Sequence, residues 1–376
     1  MITALVNGRV LTADGFVEGK SVVVEGGRIA AVVDGVPAAD DLRDLGGGVL
    51  LPGFIDTQVN GGAGVLFNDD PSVEAVAAIG RAHRRFGTTG FLPTLISDDQ
   101  AVIARAIAAA DEAIAAGVPG VLGVHIEGPF ISERRKGIHD PSKFQTLDES
   151  WLPLLTSLKR GRTLVTLAPE TMRLDLIGRL RQAGVIVAAG HTNAGYETMR
   201  AALDAGVTGF THLFNAMSPL GSREPGVVGA ALEDPRGVCG IIVDGRHVHP
   251  AALRLALRLK GEAGLMLVTD AMPTVGLADK TFELQGRRIV VRDGVCVDEA
   301  GTLAGSDLDM AAAVRNSMAM LGVDLASAAR MASLSPARFL GLDGQLGVIA
   351  PGYRADLVLV DDRLDVLETW IGGIPA

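Results

Sequence analysis

The chain has 376 residues, 48% of them hydrophobic and 21% charged, with a formal net charge of −10. That balance supplies a large buried core and excludes the basic stripe of a nucleic-acid binder. An acidic chain that handles an anion must gather its cations at one place.

The opening residues MITALVNGRV lack the basic segment and long apolar run of an export signal. No uninterrupted apolar run approaches the roughly 20 residues of a membrane span. The two cysteines, Cys239 and Cys296, are far apart and show no CxxC spacing, so a disulfide framework is not expected. The expectation is a soluble cytoplasmic protein with neither nucleic acid nor membrane as a partner.

The first 50 residues, with ITALVNGRVLTADGF and KSVVVEGGRIAAVVDG, alternate apolar residues with glycine turns, as antiparallel β structure does. From residue 49 the pattern changes to short apolar runs separated by helical segments. The strand candidates are VLLPGFIDTQVN, TTGFLPTLI, VLGVHIEG, TLVTLAP, VIVAAGHTN, GFTHLFNAM, CGIIVDG and LMLVTDA. Between them, DDQAVIARAIAAADEAIAAG repeats Val102, Ile103, Ala106, Ile107, Ala110 and Ile114 at helical spacing.

Eight apolar strands alternating with helices predict a (β/α)8 barrel, with a doubly wound open sheet as the alternative. The segment 281–306 reads as a β-hairpin excursion after the eighth strand. GQLGVIAPGYRADLVLVDDRLDVLETWIGG then returns to the terminal β pattern. The expected layout is a small β-sandwich from residues 1–50 and 345–376 flanking a catalytic barrel at 51–344.

Suspicious polar residues gather at the ends of the barrel strands: Gln58 and Asn60, Glu127, His191, His212, His247 and Asp270. In a barrel of this type that end carries the chemistry. Two imidazoles and a carboxylate from separate strands suit a divalent ion with a position left open to water. His83, in RAHRRFG, reads as a solvated residue, and His249 before Pro250 as a local hydrogen-bonding group. DGFVEGKS runs into a strand rather than a helix, so it is no phosphate loop, and a G-x-S-x-G elbow is absent.

HIEGPF, GHTNA, THLFNAM, DGRHV and VTDA occur in the order seen in N-acetylglucosamine-6-phosphate deacetylases of the amidohydrolase superfamily, and the chain resembles that family along essentially its whole length. LPGFID and GVIAPGYRADLVLVD are similar to superfamily signatures as well. Many amidohydrolases carry His-x-His on the first strand and hold two metals. Here that slot is Gln58-Val59-Asn60, and TLVTLAPE lacks the bridging lysine of many two-metal relatives.

The resemblance implies one divalent ion per subunit on Glu127, His191 and His212: Zn²⁺, with Fe²⁺, Co²⁺ or Mn²⁺ also compatible. It implies Asp270 as general base and His139 as hydrogen-bond donor to the amide carbonyl. For the phosphosugar it implies Asn215, Ala216, Arg223 and His247, together with backbone at Ile138, Leu303, Ala304 and Gly305. It further implies a homodimer in which Arg223 reaches the neighbouring site. The basic run Arg134, Arg135 and Lys136 reads as a solvated loop. The rivals are the galactosamine epimer as substrate, N-acyl-amino-acid deacylation, and noncatalytic phosphosugar binding.

Overall fold

In the computed structural model, which describes residues 1–375, eight parallel strands follow one another in chain order around a barrel. They are β1 (Phe54–Val59), β2 (Thr88–Ile96), β3 (Gly123–Glu127) and β4 (Arg162–Leu167), then β5 (Ile186–Ala189), β6 (Gly209–Phe210), β7 (Val238–Ile241) and β8 (Leu265–Leu267). All residues of β1, β2 and β3 are buried. Helices cover the outer face of such a sheet, which is why these strands read as continuous apolar runs.

Closure of the ring is irregular. Between β8 and β1 an isolated bridge pairs Val59 with Ala271. The Asp270 N–H donates to the Gln58 carbonyl at 3.0 Å, and the Asn60 N–H to the Ala271 carbonyl at 2.9 Å. Across the same seam the Thr269 hydroxyl donates to the buried Asp56 carboxylate at 2.5 Å. Burial pushes that carboxyl up to about 7. The last and first strands are thus joined right beside the residues singled out above.

Helical packing follows the sequence periodicity. The helix Gln100–Ala115 buries Ile103, Ala106, Ile107, Ala110 and Ala113 along one stripe. Val102 and Ile114 flank the stripe, half-buried.

The chain termini build a two-sheet sandwich. One sheet orders Arg28–Asp34, Lys20–Glu25, Ile2–Val6 and Asp41–Asp44. In the other, Val49–Pro52 lies between Leu357–Val360 and Arg9–Thr12. Their facing sides share a core that includes Leu5, Val22, Leu50, Leu357 and Trp370. The chain passes from sandwich to barrel at Gly53, so the apolar run VLLPGFIDTQVN spans two strands in two different sheets.

The excursion after β8 is a four-stranded antiparallel meander, Thr281–Leu284, Arg287–Arg292, Val295–Val297 and Leu303–Ser306, rather than a single hairpin. Its apolar face packs on Leu66, Ile96, Ile138 and Met272. That packing holds it over the C-terminal end of the barrel.

His83 is a correction. It is fully buried, not solvated, and its Nε2 donates to the Gly61 carbonyl at 2.8 Å. Burial pushes this imidazole down to about 4, so it is a neutral packing group. His249 caps the following helix by accepting from the Ala251 N–H, as its place before Pro250 implied. Both cysteines are unpaired and buried. Among the described residues no helix is long and apolar enough to cross a membrane.

Candidate active site

Glu127 ends β3, while His191 and His212 follow β5 and β6 by two residues. The three side chains meet. His191 Nε2 lies 3.1 Å and His212 Nε2 3.0 Å from the same Glu127 Oε1, and the two Nε2 atoms are 3.0 Å apart. His191, His212 and Asp270 all have positive φ, at 48°, 36° and 53°. Such backbone is uncommon outside glycine and is held in place only by its surroundings.

Chemistry decides what this cluster can hold. The Arg135 carbonyl can only accept, so His191 Nδ1, 2.8 Å away, carries a proton. In the neutral ring its Nε2 then points a lone pair at a carboxylate oxygen. Two imidazole nitrogens and a carboxylate converging in this way suit a shared proton or a metal cation, and the backbone-anchored ring is the usual support for a metal-ligating histidine. The residues present therefore fit a divalent ion. His139 is also near: Glu127, His139 and His191 each offer a ligand atom within 4.8 Å of the others. Burial would raise the Glu127 carboxyl, but hydrogen bonds and charge from the two histidines hold it well below the usual range.

Asp270, past the end of β8, faces this cluster through the two amides. Gln58 Nε2 donates to Glu127 at 3.1 Å and to Asp270 Oδ1 at 3.1 Å. Asn60 Nδ2 donates to the same Asp270 oxygen at 2.7 Å. Gln58 thus links the two acids, and Asn60 adds a second neutral donor to Asp270. Burial, then the charge of Glu127, push the Asp270 carboxyl up to about 6.

A cavity of about 230 Å³ opens onto these groups. Asn60, Glu127, His139, His191, His212 and Asp270 form its reactive wall. Asn215, Ala216 and His247 line one side, and Ile138, Leu303, Ala304 and Gly305 the other. His247 is fixed by Asp244, whose carboxylate lies 2.6 Å from Nδ1. The Ile138 carbonyl accepts from Arg287 of the meander at 3.3 Å. At Gly305 a Cβ would come within 2.8 Å of the Asp270 carbonyl, so only glycine allows the meander to close this tightly on the base.

Two residues expected at the site are not in this wall. Gln58 sits beneath it, bonded to the two acids. Arg223 is exposed in the loop after β6 and does not line the cavity. Within the basic run, Arg134 is exposed, whereas Arg135 Nε donates to the Asn193 side chain.

Sequence reading passed over four polar residues. Asp56 and Asp244 brace the closing seam and His247. His125 shares a face with Glu127 and joins Thr94, Thr166 and Thr211 in a buried belt below the cluster. Ser97, one residue past β2, touches His139. The end-of-strand rule that found Glu127 applied equally to Ser97, and period-2 alternation pointed to His125.

Residues 49–375 match the model of the amidohydrolase family. The N-acetylgalactosamine-6-phosphate deacetylase of Shewanella sp. (strain ANA-3) is 47% identical over 88% of this chain and 83% of its own. The N-acetylglucosamine-6-phosphate deacetylase of Pasteurella multocida superposes with a TM-score of 0.97 at 35% identity, covering both chains completely. A mutant N-acetyl-D-glucosamine-6-phosphate deacetylase from Mycobacterium smegmatis, in complex with N-acetyl-D-glucosamine-6-phosphate, superposes at 0.91 with 35% identity, covering 100% of this chain and 98% of that one.

Proposed function

The chain belongs to the amidohydrolase family, and from that premise we propose that it hydrolyses N-acetyl-D-glucosamine 6-phosphate to D-glucosamine 6-phosphate and acetate, in amino-sugar catabolism. The observation that carries this reading is the meeting of Glu127, His191 and His212 beside Asp270 at the floor of one cavity. The cavity is small for a ligand site, which favours a single phosphorylated monosaccharide over a chain of sugars.

Glu127, His191 and His212 would hold one divalent ion per subunit, with Zn²⁺ the first choice and Fe²⁺, Co²⁺ or Mn²⁺ also suited to nitrogen and oxygen ligands. When bound, such an ion supplies Lewis acidity and lowers the pKa of water to about 7. Asp270 removes a proton from the attacking water and delivers it to the departing sugar amine. His139 donates a hydrogen bond to the acetyl oxygen as negative charge develops there. One C–O bond forms, the amide C–N bond breaks, and acetate leaves. His247, Asn215 and the backbone at Ala216, Ile138 and Leu303–Gly305 hold the sugar phosphate.

Among the described residues no lysine or arginine lines the cavity, which supports a shared site in a homodimer. Beside the Arg223 loop lies an apolar groove that includes Phe214, Pro219 and Leu232. Leu220, Leu255 and Leu259 nearby are 59%, 55% and 63% exposed. A contiguous apolar patch of this kind marks an association surface. Arginine, with its planar fork, is the side chain suited to reach across it to a phosphate. Mixing Arg223→Ala with Asp270→Asn chains should restore about a quarter of wild-type activity, by the statistics of two-fold assembly. Confirmed subunit exchange without recovery would rule out the shared site. The two unpaired cysteines suit a reducing cytoplasm.

A second reading has its own support: the 47%-identical relative acts, by its name, on the galactosamine epimer. Acetate release from both 6-phosphates, compared as kcat/KM with metal analysis of the same sample, tests both. Faster turnover of the galactosamine compound would move the assignment to that epimer. Inertness toward both would end it.

A further inference from the structure

His139 is the one imidazole of the cavity wall whose free nitrogen has two assignments open to it. It can donate a hydrogen bond to a substrate oxygen, or it can bind the cation beside Glu127 and His191. Its other nitrogen settles the matter. Nδ1 receives the backbone N–H of Ser97 at 3.3 Å and lies 2.8 Å from the Ser97 hydroxyl. A peptide N–H can only donate, so Nδ1 must present its lone pair, and in the neutral ring the proton resides on Nε2. Among the described residues Nε2 has no partner within the chain, and the ring lines the cavity.

Ser97 is itself built in. It is fully buried, and its carbonyl accepts from Gln285 Nε2 of the meander at 3.0 Å. Gly128, with φ at +88°, leaves room for its hydroxyl: a Cβ there would sit 2.2 Å from Ser97 Oγ. The glycine of HIEGPF therefore makes space for the group that faces His139. Arg287 holds the neighbouring Ile138 carbonyl from the same meander, so both sides of the Ser97–His139 contact are pinned by residues 281–306.

We infer that Ser97 is a positioning residue that fixes His139 as its Nε2–H tautomer, making it a hydrogen-bond donor to the reacting carbonyl oxygen and withholding it from the metal. This rests on the deacetylase reading for the identity of the oxygen, but the tautomer is measurable without turnover.

The test is long-range proton–nitrogen correlation on full-length, zinc-loaded protein carrying ¹⁵N-histidine, with the His139 signals identified by their loss in His139→Gln. The wild-type spectrum should show His139 with a protonated Nε2 and a bare Nδ1. Ser97→Ala keeps the peptide N–H and so should keep Nε2 protonated, but it removes the 2.8 Å hydroxyl contact that holds the ring, with kcat down about 10–100-fold and KM and zinc content little changed. A protonated Nδ1 in the wild-type protein overturns the assignment, and does so even if Ser97→Ala fails to fold. A protonated Nδ1, or an unaltered kcat, in a folded Ser97→Ala also overturns it. The expected tautomer without acetate release from either hexosamine phosphate would defeat the deacetylase reading instead, leaving the tautomer assignment intact.

Discussion

Asp270→Asn should cut kcat by about 10²–10⁴-fold while leaving the bound ion in place. The asparagine keeps an oxygen that accepts from Gln58 and Asn60, as Asp270 Oδ1 does, so the seam between β8 and β1 survives. What disappears is the ability to take a proton. The same residue sets the pH dependence. Burial and the Glu127 charge raise its carboxyl to about 6; the base is present above that pH and is lost as pH falls through it. The wild-type kcat/KM profile should therefore lose activity on its acid side near pH 6, and the residual activity of Asp270→Asn should lack that limb. Near-wild-type turnover in the variant, with metal retained, would remove Asp270 as the base.

Much of this arrangement could be read from residue order. The apolar runs ended in polar residues at the same end of each strand, and in a barrel those ends meet. Glu127, His191, His212 and Asp270 stand out in this way, because each is a polar residue in an otherwise apolar run. The sequence was less informative where the fold acts through contacts between distant segments. Val49–Pro52 and Phe54–Val59 form one apolar run, yet the first pairs with Leu357–Val360 and the second with β2. Only the Pro52-Gly53 dipeptide marks that switch in local propensity. His83 looked solvated because its helix end is rich in arginine, but the ring points inward to the Gly61 carbonyl. The purpose of Gln58 and Asn60 needed coordinates as well. Their spacing put two amides on one face of the strand; only geometry shows Gln58 linking Glu127 to Asp270 and Asn60 donating to Asp270 alone.

The ligand set can be decided by removing one side chain at a time. His191→Ala and His212→Ala should each lose the ion on purification, because each deletes a nitrogen within 3.1 Å of Glu127 Oε1. His139→Gln should keep it and lose kcat by about 10²–10³-fold, the usual consequence of removing a donor to a developing oxyanion. Elemental analysis separates the two behaviours without reference to activity. The distinction follows from hydrogen-bond partners: His191 donates its Nδ1 proton to the Arg135 carbonyl and frees Nε2 to bind, whereas His139 accepts at Nδ1 and keeps its proton on the cavity side. If His139→Gln arrived without metal and His212→Ala with it, the cation would belong to Glu127, His139 and His191. The acetyl oxygen would then need a different donor.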